Sequence, residues 1–144
     1  MSQNDASAPL PPAQMDDLRQ RALAVAAKAY APYSGFRVGA AILLEDGTIT
    51  TGCNVENASY RLTTCAEQSA IAAAVALHGP SARIRAVLIV NLNRAASSPC
   101  GGCRQTILEF GSPRTEVFFP AADGSQVRSS INDLLPHAFL LQEQ

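Results

Sequence analysis

The stretch SSPCGGCRQTILEF, Ser97 to Phe110, decides how this chain is read. Cys100 and Cys103 stand three positions apart at what reads as the start of a short helix closed by Gly111. A Cys-x-x-Cys pair is half of something, either a redox couple or part of a metal site. The remainder of the sequence has to supply the other half.

The bulk composition narrows the choice. The chain has 144 residues, 47% of them hydrophobic and 16% charged, which suits one domain with a core of its own. Aromatics make up 6% and tryptophan is absent, so the elements are expected to pack closely. A net charge of −1 without blocks of like charge leaves no footprint for a nucleic-acid backbone. No apolar run approaches the roughly 20 residues that span a bilayer, so no membrane or nucleic-acid partner is expected. MSQNDASAPLPPAQ has neither a basic n-region nor an apolar h-region. Residues 1–13 read as a disordered leader, and 14–144 as a single domain. Four cysteines without an export signal imply reduced thiols and a cytoplasmic location.

Along the chain, QMDDLRQRALAVAAKAY repeats apolar residues at helical spacing (Met15, Leu18, Ala22, Val25, Ala29), with Asp16 and Asp17 near its start. APYSGF breaks it, and RVGAAILL, EDGT and ITTGCNV read as a hairpin turning at Asp46-Gly47. CAEQSAIAAAVALHG is a buried, alanine-rich helix, RIRAVLIVN a strand, TEVFFP another strand, AADGSQ a turn and INDLLP a short helical piece. Alternating strands and helices predict an α/β fold: a three-layer α/β/α sandwich around a mixed sheet of about five strands.

The missing half lies upstream in TTCAEQSA. Cys65 opens one helix, Cys100 and Cys103 share a face of the next, and three thiolates can hold zinc while leaving a fourth position open. Helix N-termini aimed at the ion lower thiol pKa values and offset thiolate charge. Glu67 is the informative residue. A carboxylate two positions from a ligand, in the first turn of a buried helix, is rare unless it carries chemistry. One carboxyl there can take a proton from water and return it.

Cys-x-Glu followed by Pro-Cys-x-x-Cys is the three-cysteine variant of the zinc nucleobase deaminase signature. With AYAPYSGFRVGAAIL, GCNVENASY, TCAEQSAI, SPCGGCRQ and DLLPHAF spread over nearly the whole chain, the sequence resembles the small, homotetrameric cytidine deaminases. The resemblance implies their fold and one zinc ion per subunit held by Cys65, Cys100 and Cys103. It implies hydrolytic release of ammonia from cytidine and 2′-deoxycytidine by zinc-bound hydroxide attacking C4, with Glu67 as proton shuttle. It implies that Asn54 and Glu56 bind the ribose hydroxyls, that Phe36 packs on the nucleoside, and that the Ala66 backbone holds the pyrimidine carbonyl. Ala58, Tyr60 and Phe139 would serve a neighbouring subunit's pocket, Phe139 stacking on the base. The sequence departs from the family in one place: Gln68 stands where many three-cysteine members carry Arg. The first shell then keeps a less compensated charge of about −1, and the expectation is activity with a displaced pH optimum or weaker turnover.

Other readings compete. A structural zinc clip needs a fourth ligand, and neither His78 nor His137 has finger-like spacing. A redox pair lacks the preceding thioredoxin-like context. The same chemistry on a modified aminopyrimidine nucleoside fits the motifs too, a polynucleotide editor needs a basic track, and a non-catalytic zinc scaffold leaves Glu67 without purpose. Cys53 reads as a small buried strand residue.

Overall fold

In a computed structural model, residues 8–141 are described; residues 1–7 of the expected leader lie outside them. The order is α1 (Pro12–Ala26), β1 (Val38–Leu44), β2 (Ile49–Cys53), α2 (Ala66–His78), β3 (Ile84–Asn91), α3 (Gly101–Phe110), β4 (Glu116–Pro120), β5 (Gln126–Ser130) and α4 (Ile131–Leu134). Single 3-10 turns at Tyr60–Leu62 and Gly79–Ser81 precede and follow α2.

The strands form one sheet in the order β2-β1-β3-β4-β5, mixed because only β3 and β4 run parallel. Side chains alternate across it as strand geometry requires. Ala40, Ile42 and Leu44 of β1 join Val87 and Ile89 of β3 beneath α2, α3 and α4. Ala41 and Leu43 join Ala86, Leu88 and Val90 beneath Leu18, Ala22 and Ala26 of α1. Two cores on opposite faces of one sheet make the three expected layers.

Three boundaries differ from the sequence reading. α1 starts at Pro12, two residues inside the expected leader, because Pro11 caps it and Pro12 suits the first helical position. Asp16 and Asp17 therefore fall beyond the first turn, and Asp17 pairs with Arg21 at 3.0 Å instead of facing the dipole. The helix also stops at Ala26, since Tyr30 is drawn off to bridge Val55. Cys100 caps α3 from outside rather than lying within it. The hairpin does turn at Asp46-Gly47, where Gly47 donates to Leu44 O at 3.0 Å with φ +91°, a conformation glycine adopts freely.

One close approach sets where α2 begins. A methyl group on Gly52 of β2 would stand 2.3 Å from Ala70 N and 2.7 Å from Ala66 O. Neither backbone atom can yield without moving the first turn of α2. Gly52→Ala should therefore cost about 3 kcal/mol, lowering the melting temperature by roughly 10 °C. Thermal unfolding checks this, and an unchanged midpoint would show that strand and helix can slide apart.

Candidate active site

Two helix starts build the centre. Cys65 is the N-cap of α2 and Cys100 the N-cap of α3, both in extended backbone, and neither side chain caps its own helix. Their sulfurs are thus free to point elsewhere. The pair of hydrogen bonds between Val55 and Thr64, each 2.9 Å, fixes the chain entering Cys65. Cys103 follows in the first turn of α3 and is fully buried. The Sγ atoms of Cys65, Cys100 and Cys103 all lie within 4.8 Å of one another. Tetrahedral zinc at about 2.3 Å from each sulfur would set them about 3.8 Å apart, which lies within that bound. Three soft donors with no fourth in the group leave one coordination position for a reactant.

The Cys65 and Cys103 thiols are pushed in opposite directions. Hydrogen bonding from Cys103 lowers the Cys65 thiol to about 7, against burial and the Glu67 charge. Cys103 moves the other way, first because it is the partner that keeps its proton for Cys65, then through burial. One proton leaves this pair easily and the other is held tightly, a property of Cys65 and Cys103 together. A divalent cation in their midst reverses that resistance.

Glu67 lies in the first turn of α2, only 5% exposed. Burial raises its carboxyl above the ordinary range, its own backbone N–H and Cys103 pulling the other way. A carboxyl displaced toward neutrality can both accept and give a proton. Half-buried Gln68 reaches across to α3: its amide nitrogen and the Cys100 sulfur flank one point above Gly102, 3.7 and 4.0 Å from where a methyl would sit. It therefore stands beside the cluster as a neutral neighbour.

Asn54 and Glu56 are found holding protein. Asn54 is buried; its amide donates to Phe36 O at 2.7 Å and accepts from Val38 N at 2.9 Å. Glu56 accepts from the Tyr33 and Ser34 N–H groups at 2.9 and 3.1 Å, and from the Ser34 hydroxyl. Ser34 in turn accepts from Phe36 N at 3.0 Å. These two side chains fasten the whole loop that presents Phe36. Sequence reading missed Ser34, because APYSGF signals a break and nothing more. Glu56 also borders a cavity of about 270 Å³ lined by Tyr33, Ser34, Asn57, Tyr60 and Thr63.

The Ser34 hydroxyl holds the Glu56 carboxyl below its ordinary range against an opposing burial effect, helped by the Tyr33 and Ser34 N–H groups. Its stabilising contribution is therefore fully present above the unfolded value of about 4.3. It is lost as pH falls through the lower folded value. Wild type should exceed Glu56→Gln in stability near neutrality, and the gap should close on acidification. Denaturant midpoints from pH 7 down to 3 check this; a constant gap would contradict it.

Ala58, Tyr60 and Phe139 are exposed, Tyr60 by 79% and Phe139 by 72%. A cleft of about 400 Å³ near Arg19 and Arg94 contains none of the candidate residues.

The model of the cytidine and deoxycytidylate deaminase zinc-binding region matches residues 12–119, enclosing all three cysteines and Glu67. The chain belongs to this deaminase family. It is similar to the cytidine deaminase of Mycobacterium tuberculosis, 42% identical over 135 residues, covering 93% of this chain and 96% of that one. It is similar to the cytidine deaminase of Sporosarcina psychrophila, 44% identical over 112 residues, 78% of this chain and 81% of the relative. Among solved structures, the enzyme from Burkholderia pseudomallei superposes with a TM-score of 0.77 at 44% identity, over 86% of this chain and 98% of that chain. The Mycobacterium tuberculosis structure gives 0.77 at 42%, over 88% and 98%. Zinc is the metal of the deaminase region, and the three-sulfur cluster is the donor set this deaminase offers it. Among the described residues no helix is long and apolar enough to cross a membrane.

Proposed function

We propose that this zinc enzyme hydrolyses the C4–amino bond of cytidine and 2′-deoxycytidine, giving uridine or 2′-deoxyuridine and ammonia. The observation that carries the reading is the buried Glu67, two residues from Cys65 at a three-sulfur site with an open position. Cys65, Cys100 and Cys103 would hold the zinc ion, which would supply the Lewis acidity that makes water a nucleophile near neutral pH. Glu67 takes the proton that water gives up and delivers it to N3 of the pyrimidine. It then passes the second proton of that water to the amino group, which departs as ammonia while C4 keeps the oxygen. The N–H of Ala66, first residue of α2, lacks an intrahelical acceptor and can hold the pyrimidine carbonyl.

Asn54 and Glu56 keep acceptor and donor capacity beyond their loop contacts, and the reading gives that remainder to the ribose hydroxyls. Phe36, fixed between them, packs on the nucleoside. Ala58, Tyr60 and Phe139 are assigned to a neighbouring pocket in a homotetramer. Their exposure, beside exposed Leu62, Leu140 and Leu141, supports that assignment, since aromatic and apolar patches of this kind mark contact surfaces. The reading keeps residues 14–144 as one catalytic domain, with helix α1 extended back to Pro12. Four free cysteines support a cytoplasmic location.

The test is ultraviolet absorbance of cytidine with purified, zinc-loaded protein at neutral pH. Conversion to the uridine spectrum is the expected result. A flat trace from folded, metal-bound protein overturns the substrate, and turnover of an N4-substituted cytidine would then redirect it. A stable monomer by sedimentation overturns the shared pocket.

A further inference from the structure

The helix that Cys100 caps and that carries Cys103 also grips the segment after α4. Arg104 follows Cys103 directly. Its Nε donates to Pro99 O at 2.8 Å and its Nη1 to Leu134 O at 2.9 Å. One planar guanidinium thus bridges the residue preceding Cys100 and the last residue of α4. The next side chain continues the grip: Gln105 Nε2 donates to Phe139 O at 2.9 Å. Consecutive helical residues point about 100° apart, so the two reach successive places on a segment running past α3.

Beyond these bonds the segment is held by packing, with Leu135 and Ala138 against the core. Beyond α4, among the described residues, no backbone–backbone hydrogen bond reaches residues 136–141. Phe139, Leu140 and Leu141 are all exposed. An aromatic side chain presented on such a segment sits where its few anchors put it, and here the Phe139 backbone is held by the hydrogen bond from Gln105, beside Ala138 packed on the core.

We infer that Arg104 and Gln105 are positioning residues that couple the metal centre of a subunit to the aromatic side chain it presents at Phe139. Arg104 sets the turn that aims Cys100, and Gln105 sets the reach of Phe139. The inference rests on the reading that Phe139 enters a nucleoside pocket. Its chemistry follows from the donors. A guanidinium fork serves two carbonyls at fixed angles, which an ammonium cannot do. A glutamate in place of Gln105 keeps size and loses the donor.

Two substitutions in the zinc-loaded enzyme test it. Gln105→Glu should raise KM for cytidine roughly 3- to 10-fold, the cost of ordering one loosened side chain on binding. It should leave kcat within about twofold and zinc content unchanged. In a Phe139→Ala background the same substitution should have no further effect on KM. Arg104→Lys should release zinc to a chelator roughly 10-fold faster, as loss of an outer support around a metal ligand does. That release rate is read from zinc alone, without turnover. Equal KM increases in the wild-type and Phe139→Ala backgrounds, or no increase in either, overturn the Gln105 half. A wild-type release rate overturns the Arg104 half. If Phe139→Ala alone leaves KM unchanged, the nucleoside-pocket reading itself fails and the coupling falls with it. If that variant raises KM and Gln105→Glu does not, the reading stands and only the coupling fails.

Discussion

Glu67→Gln should lower kcat by about 10²- to 10⁴-fold while leaving the fold and the zinc content intact. The amide has the shape of the carboxyl and is tolerated at a position 5% exposed. What it cannot do is exchange a proton. Two transfers depend on that exchange, one to the ring nitrogen and one to the departing amine, and both are lost together. KM should move little, because the proposed reading gives nucleoside binding to the Ala66 N–H and the Asn54–Glu56 pair and not to Glu67. Steady-state kinetics beside metal analysis decide the matter. A variant that retains a tenth of wild-type turnover would move the proton shuttle to another group, and zinc-poor protein would make Glu67 a structural support.

Cys103→Ser should abolish zinc retention and turnover together. Cys103 is buried where Cys65 and Cys100 are not, so it lies deepest in the cluster. A serine hydroxyl does not ionise near neutral pH and is a poor zinc donor, leaving two sulfurs for the ion. The affinity loss should exceed the roughly 10- to 100-fold caused by removing only an outer support. Activity should fall below detection, as in wild-type protein stripped by a chelator. Returning zinc should rescue the stripped wild type and leave Cys103→Ser inactive. Full zinc content in the variant would mean that another donor completes the site.

The sequence made the centre legible because its parts are local. Cys65 with Glu67, and Cys100 with Cys103, are close pairs at helix starts, and helix geometry converts such spacing into a common direction. Asp46-Gly47 announced its hairpin for the same reason. Asn54 and Glu56 show where local reading stops. Their hydrogen bonds to Phe36 and Ser34 span 18 and 22 positions, and no spacing rule links a side chain to a backbone that far away. Gln105 and Phe139 are 34 apart, and the contact exists only because α4 returns the chain to α3. Cys100 as a cap rather than a helical residue was a matter of one position, the scale on which helix ends are hardest to read.

The placement of the ligands has a consequence for how the molecule comes apart. Cys65 and Cys100 are thirty-five positions apart, with α2 and β3 between them. Zinc therefore closes a chain loop around that half of the domain and acts as a removable cross-link, restricting the unfolded chain as well as stabilising the folded one. The opposite face, where Leu18, Ala22 and Ala26 pack on the sheet, has no such tie among the described residues. Metal loss should therefore loosen the α2 and α3 starts before the α1 layer.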